Sequence, residues 1–291
     1  MKKFEIYAGM ILLAVQISPV FAGSTIQGTV GINHTEMKDS DDFKVKQTDI
    51  SLQYFLAPVE KKSHPWREAS FLEHAPSLSV DIGQISAEDV YKADGPAFLF
   101  TGEYASKTNP VIAGLAYYNS QLKSDFAKQD NNGLAAELGV YLAEPLAVVA
   151  LYSDLDSKYT VDSTSYLNSK NKITTYGLSA KYVQEYASQQ ALSLVFTFTK
   201  TNNKEEGGDS VSSDSFDFDA TYYINPKIGL SGMISLQNSD NDSDKGKLYA
   251  VGIDAFVTEN LSLTAGYGSF KADNSSGTDD DRWTVGANWW F

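Results

Sequence analysis

An all-β fold, a transmembrane antiparallel β-barrel, is predicted by three observations. Segments of about ten residues alternate apolar and polar along the chain. Turn and loop residues separate them, in connections that tend to alternate between short and long. The final segment keeps its alternation to the last residue, Phe291, where a water-soluble chain is commonly frayed and polar. A soluble β-sandwich also alternates. Unlike the sandwich, this chain sets glycine and small residues on its polar face, as though lining a lumen.

The last segment is the clearest. Trp283, Val285, Ala287, Trp289 and Phe291 fall on one face, and Arg282, Thr284, Gly286, Asn288 and Trp290 on the other. The same period sets Leu134, Ala136, Leu138, Val140 and Leu142 against Ala135, Glu137, Gly139 and Tyr141. It sets Phe216, Phe218, Ala220 and Tyr222 against Asp217, Asp219, Thr221 and Tyr223, and Ile50, Leu52, Tyr54 and Leu56 against Asp49, Ser51, Gln53 and Phe55. Around 111–118 and 146–152 both faces are apolar or small, and the phase is ambiguous. Fourteen segments are counted: 24–34, 44–57, 76–86, 96–106, 110–120, 132–143, 146–156, 172–184, 190–200, 213–224, 227–238, 247–257, 260–271 and 281–291. Twelve or sixteen strands are the alternatives.

Lys107-Thr108-Asn109, Glu144-Pro145, Asn225-Pro226 and Glu259-Asn260 lie in short turns. Stretches 121–131, 157–171, 201–212, 239–246 and 272–280 are longer and polar. Barrels place short turns on the periplasmic side, so an even strand count puts both termini there. Closure is required because an edge in hydrocarbon leaves backbone groups unpaired. Tyr152, Tyr182, Tyr222, Tyr249, Tyr267, Trp283 and Trp289 fall near strand ends, where interfacial girdles need amphipathic rings.

Residues 1–22 read as a signal peptide: Lys2 and Lys3, an apolar stretch from Ile6 to Val15, and small residues before a cut after Ala22. The rival, an uncleaved anchor, is opposed by the short apolar stretch, since a spanning helix needs roughly 20 apolar residues. The barrel then occupies 23–291, with 21 basic and 36 acidic side chains, a net charge of −15. Such a balance argues against nucleic acid as a partner. The mean hydropathy of −0.27 suits a barrel, in which only every second strand residue faces lipid.

Asn288-Trp289-Trp290-Phe291 resembles the C-terminal signal read by the barrel-assembly machinery, with Trp289 and Phe291 as its alternating aromatics. Tyr54-Phe55-Leu56-Ala57-Pro58-Val59, followed by Pro65-Trp66-Arg67-Glu68-Ala69-Ser70-Phe71-Leu72, is similar to a segment of the general bacterial porins of Gram-negative outer membranes. The resemblance implies an outer-membrane location and a diffusion channel.

Motifs for chemistry are sparse. His34, His64 and His74 are the three histidines. His34 lies near the expected outer rim, where a hydrolase would need a base oriented by a third group. An ordinary rim residue is the plainer account, and neither an enzyme nor a cofactor or metal is expected. Asp240-Asn241-Asp242-Ser243-Asp244-Lys245-Gly246 departs from a calcium loop at Lys245 and Val251. It and Asp279-Asp280-Asp281 are read as solvated tips able to hold divalent ions weakly.

Charged residues phased toward the lumen are Asp49, Asp81, Glu103, Glu137, Lys181, Asp217, Asp219, Asp254 and Arg282. Two readings stand side by side. An excess of carboxylates can bias the lumen toward cations, or the acids can pair with Lys181 and Arg282 and fill the interior. The expected function is passive diffusion of small hydrophilic solutes with weak cation preference. A hydrolase or a loop-mediated surface-binding protein are the alternatives. Expected partners are outer-membrane lipid and lipopolysaccharide, the assembly machinery and the solutes. A monomer is favoured over a trimer, and no segment stands out as a plug.

Overall fold

The computed structural model describes residues 25–39, 43–60, 64–88, 92–125, 127–161, 168–186, 189–208, 210–240, 245–273 and 278–291. The signal segment expected at 1–22 lies outside them, as do residues 241–244 of the aspartate-rich tip.

Fourteen strands form one sheet: β1 (Thr25–Asp39), β2 (Lys44–Glu60), β3 (Ser77–Glu88), β4 (Lys92–Tyr104), β5 (Val111–Lys123), β6 (Ala127–Ala143), β7 (Leu146–Val161), β8 (Ser169–Glu185), β9 (Ala191–Glu205), β10 (Ser210–Asn225), β11 (Ile228–Ser239), β12 (Gly246–Phe256), β13 (Leu261–Ala272) and β14 (Asp280–Trp290). Each pairs antiparallel with its neighbours in sequence, and β14 closes on β1 with Val30 opposite Trp289. All fourteen segments read from the alternation are therefore strands of a closed barrel. The last residue completes the seam: Phe291 accepts from the backbone N–H of Gln27 at 2.8 Å and donates to Gly28 at 3.0 Å.

The strands run further than the alternation suggests. β6 begins at Ala127, β7 reaches Val161 and β9 reaches Glu205. Much of 121–131 and 201–212, expected as loop, is hairpin ladder, with Leu122 opposite Gln129 and Ser213 opposite Thr201. These ends extend beyond the apolar band, where the outer face turns polar and the periodic signal fades while the backbone pairing continues.

The outer face is apolar where it must be. Leu115, Leu134, Leu138, Leu178 and Val251 are all more than half exposed, as are Tyr267 and Trp289. Residues between them on the same strands turn inward. The end of the barrel that holds Thr25 and Trp290 is here called the base, and the other the distal end. At the distal end, inward-facing Met37, Val45, Ile85 and Leu122 pack with Phe43 into an apolar cluster.

The base carries the largest departure from expectation. The connection between β2 and β3 contains a short helix, α1 (Ala69–Glu73), closed by His74 in the left-handed conformation at φ 49°. Instead of hanging outside as a turn, this basal segment enters the barrel. Its Trp66 is buried with Ile26, Phe55, Val59, Phe256 and Trp290. The Trp66 ring meets Phe256 edge-on at 5.0 Å, and Phe256 meets Trp290 at 5.0 Å. Trp290 is fully buried, and its indole N–H donates to Ser262 at 3.1 Å.

The two faces differ in what they tolerate. Leu138→Lys, in the middle of the exposed run Leu134–Leu142, is expected to cost ~2–4 kcal/mol near the membrane midplane. Thr197→Lys, inward and opposite Asp217, is expected to cost much less. Urea titration of folding into phospholipid vesicles measures both, and equal penalties would contradict the assignment of faces.

Candidate functional site in the barrel lumen

The basal segment is held by charge as well as by packing. Arg67 forms a two-point pair with Asp254 of β12, at 2.8 Å through Nε and 2.8 Å through Nη2. The same Nη2 donates to Thr264 of β13 at 3.3 Å. Glu68 takes Lys181 of β8 at 2.7 Å and accepts from the Tyr223 hydroxyl of β10 at 2.9 Å. Trp66 N–H donates to the Pro226 carbonyl at 2.9 Å, and the Tyr141 hydroxyl of β6 donates to the Phe71 carbonyl at 3.2 Å. His74 stacks on Tyr141 at 3.5 Å, while Lys181 sits 4.8 Å over the Phe71 ring. His64 lies between Glu185 of β8 at 2.7 Å and Glu73 at 3.7 Å, and Lys107 pairs with Glu73. A segment leaving β2 can touch β6, β8, β10, β12 and β13 together only by crossing the interior.

Burial and pairing oppose each other at Glu68. Burial alone would raise its pKa, but the Lys181 ammonium and the hydroxyls of Tyr223 and Ser193 hold the carboxyl below its ordinary value of 4.5. Glu68 is therefore an anion that the basal segment brings into a waiting set of donors.

The sequence-derived lumen residues divide into two groups. Asp254 and Lys181 receive the basal segment, and Arg282 pairs with Asp280 at 3.1 Å. Asp49, Asp81, Glu103, Glu137, Asp217 and Asp219 make no ion pair among the described residues, and all lie half-buried on faces opposite the exposed apolar ones. Asp49 accepts from Asn33 at 3.1 Å, and Asp217 from Ser215 at 2.9 Å. β2 and β3 stand almost diametrically opposite β10 in the ring, so the Asp49/Asp81 and Asp217/Asp219 pairs face each other across it. Glu103 and Glu137 flank Gly114. A Cβ there would lie 2.3 Å from Glu137 Oε1, so glycine makes room for the two carboxylates to approach.

His34 falls elsewhere. It shares the outward face with exposed Val30 and Ile32, its Nδ1 lies 2.7 Å from the Thr48 hydroxyl, and its ring is 5.1 Å from Trp283.

The residues that sequence reading passed over are Phe55, Tyr141, Tyr223, Phe256 and Trp290. Each has the phase of the lumen face, yet each is large, aromatic and buried at the base. Their common phase and level are the signal that the lumen is filled there.

With this geometry in view, the fold is that of the bacterial outer-membrane β-barrels. The crystal structure of Omp33 from Acinetobacter baumannii is similar with a TM-score of 0.57 and 15% identity, over 92% of this chain and 100% of that one. The monoaromatic hydrocarbon channel CymD is similar at 0.53 and 9% identity, over 91% of this chain and 89% of that one. The toluene transporter TbuX of Ralstonia pickettii is similar at 0.52 and 9% identity, over 92% and 90%. No protein-family model matches the sequence, and no curated protein does either.

Removing Arg67 would leave Asp254 buried without its partner. Arg67→Ala is expected to destabilise the seated segment by about 3–5 kcal/mol, and Arg67→Ala/Asp254→Ala to recover part of that loss. Hydrogen exchange of the Ala69–Ala75 amides measures both; additive effects would remove the pair from the account.

Acid should act through Glu68. Its native carboxyl binds protons more weakly than an unfolded one, so its stabilisation is complete above 4.5 and is lost as pH falls through the lower native value. Protection of the same amides is expected to hold from neutrality down to about 4.5 and to fall below it, and to fall less steeply in Glu68→Gln. A loss of protection that began above pH 6 would contradict this.

Proposed function

We propose that this barrel is an outer-membrane channel for small hydrophilic solutes, weakly cation-preferring, with its base closed by the segment around α1. The observation that carries the reading is the mid-lumen set of six carboxylates without ion pairs, inside a closed barrel whose outer face is apolar. A surplus of fixed negative charge raises local cation concentration and disfavours anions. Lys181, which could have balanced it, is committed to the base, and Arg282 is paired with Asp280.

Size supports a lumen that needs a closure. Strands ~4.8 Å apart and tilted ~40° make a fourteen-membered ring ~28 Å across between backbones. Lining side chains reduce this to roughly 15 Å, and a helix with its side chains is ~10–12 Å wide. The basal segment is thus large enough to obstruct most of the opening.

The family resemblance of residues 54–72 to general porins agrees with a channel, as do the printed descriptions of CymD and TbuX as a channel and a transporter. In this reading the base and both termini face the periplasm, Trp289 and Phe291 serve as the assembly signal, and the barrel works as a monomer.

Planar-bilayer recording tests the reading. The wild-type protein is expected to give rare or small openings. Arg67→Ala/Glu68→Gln is expected to open more often and to larger steps. In a salt gradient the reversal potential should be cation-selective, and Asp217→Asn/Asp219→Asn should shift it toward zero. Silence of both wild type and the double variant at every voltage would refute the channel; an anion-selective potential would refute the charge argument.

A further inference from the structure

The outward face of β7, β8 and β9 changes chemistry along its length. Tyr152, Tyr176, Leu178 and Phe196 are exposed on it in the apolar band. Toward the distal end the same face carries Lys158, Lys170, Lys172 and Lys204, all exposed. The register sets like charges side by side, with Lys158 opposite Lys170 and Lys172 opposite Lys204. Such pairs are destabilising in an antiparallel ladder unless something offsets them. Lys172 reaches Asp154 at 2.8 Å and Lys170 reaches Glu206 at 3.3 Å. Lys158 and Lys204 make no ion pair among the described residues. Of the other distal lysines, Lys128 is paired with Asp130 at 2.8 Å and Lys271 with Asp279 at 3.0 Å.

The four lysines, with Asp156, Glu205 and Glu206, line a concavity of about 430 Å³. Composition does not explain such a gathering, because the chain has 23 basic residues against 37 acidic ones. Along a tilted strand, Lys172 and Lys170 lie roughly 10–15 Å beyond Tyr176. Interfacial aromatics mark the edge of the hydrocarbon, so the ammonium groups reach the headgroup layer.

We propose that this concavity binds the phosphate groups of the phosphorylated glycolipid of the outer leaflet, lipid A. The proposal rests on the channel reading's placement of the barrel in the outer membrane with its distal end outward. Ammonium groups are point-charge binders of phosphate. A phosphate between Lys158 and Lys170, or between Lys172 and Lys204, relieves the repulsion that the register imposes. The occupant is an amphiphile, because the lysines lie directly beyond the exposed Tyr176, Leu178 and Phe196, against which acyl chains can lie.

Native mass spectrometry of the detergent-solubilised barrel, titrated with bisphosphorylated lipid A, tests this. The wild type is expected to bind, and Lys158→Gln/Lys204→Gln to bind roughly tenfold more weakly. Lys247→Gln/Lys271→Gln, on β12 and β13, should bind as wild type does. Dephosphorylated lipid A should bind poorly, and equimolar inorganic phosphate should not displace the glycolipid. Equal affinity of the wild type and Lys158→Gln/Lys204→Gln would overturn the site, as would displacement by inorganic phosphate. A protein that conducts in planar bilayers but binds no lipid A overturns this inference alone. One that neither inserts nor binds overturns the channel reading with it.

Discussion

An unpaired N–H or C=O in hydrocarbon costs several kcal/mol, so a sheet that crosses a membrane must have no edge. Every other feature of this barrel depends on meeting that condition at the β1–β14 seam. The ladder runs from Asp39 opposite Asp280 to Thr29 opposite Trp290, and the Phe291 backbone adds the last bonds to Gln27 and Gly28. Once the ring is closed, alternation has only one consistent meaning: one set of side chains faces lipid and the other faces a common interior. A charge that would be expensive outside becomes tolerable inside, because other parts of the chain or water can meet it there.

The base shows what the closed interior makes possible. Arg67 and Glu68 are adjacent in sequence and carry opposite charges. Each finds its counter-charge on a different wall, Asp254 on β12 and Lys181 on β8. Trp66 adds an apolar anchor beside Phe256 and Trp290, the inward residue next to the seam. Ion pairs out of water are specific more than they are stabilising, since desolvation offsets much of the attraction. Their effect here is to define one seated position for the segment and to make it sensitive to the loss of either charge.

Above the base the balance reverses. Six carboxylates face the mid-lumen without counter-ions of their own, and the nearest basic residues are already engaged below. Beyond them, at the distal end, an apolar cluster around Met37, Val45 and Ile85 lines part of the interior. The lumen thus has three levels: an occupied base, an acidic middle and a partly apolar distal end.

The strand count and the class of fold were legible in the sequence, because a two-residue period needs only local information. His34 shows the limit of that information: its nearness to the distal rim could be read, while its lipid-side phase becomes evident only beside Trp283. Strand ends were underestimated because backbone pairing continues where side-chain alternation has faded. Phe55, Tyr141, Tyr223, Phe256 and Trp290 were each visible as large residues in a lumen phase. No local rule says that residues so far apart in sequence stand at one level. The sequence by itself determined that the sheet must close and which side of each strand is wet. Only the tertiary structure decided that the β2–β3 connection turns inward, because its hydrogen-bonding partners lie on strands up to 197 residues away and meet it only after closure has brought the walls around it.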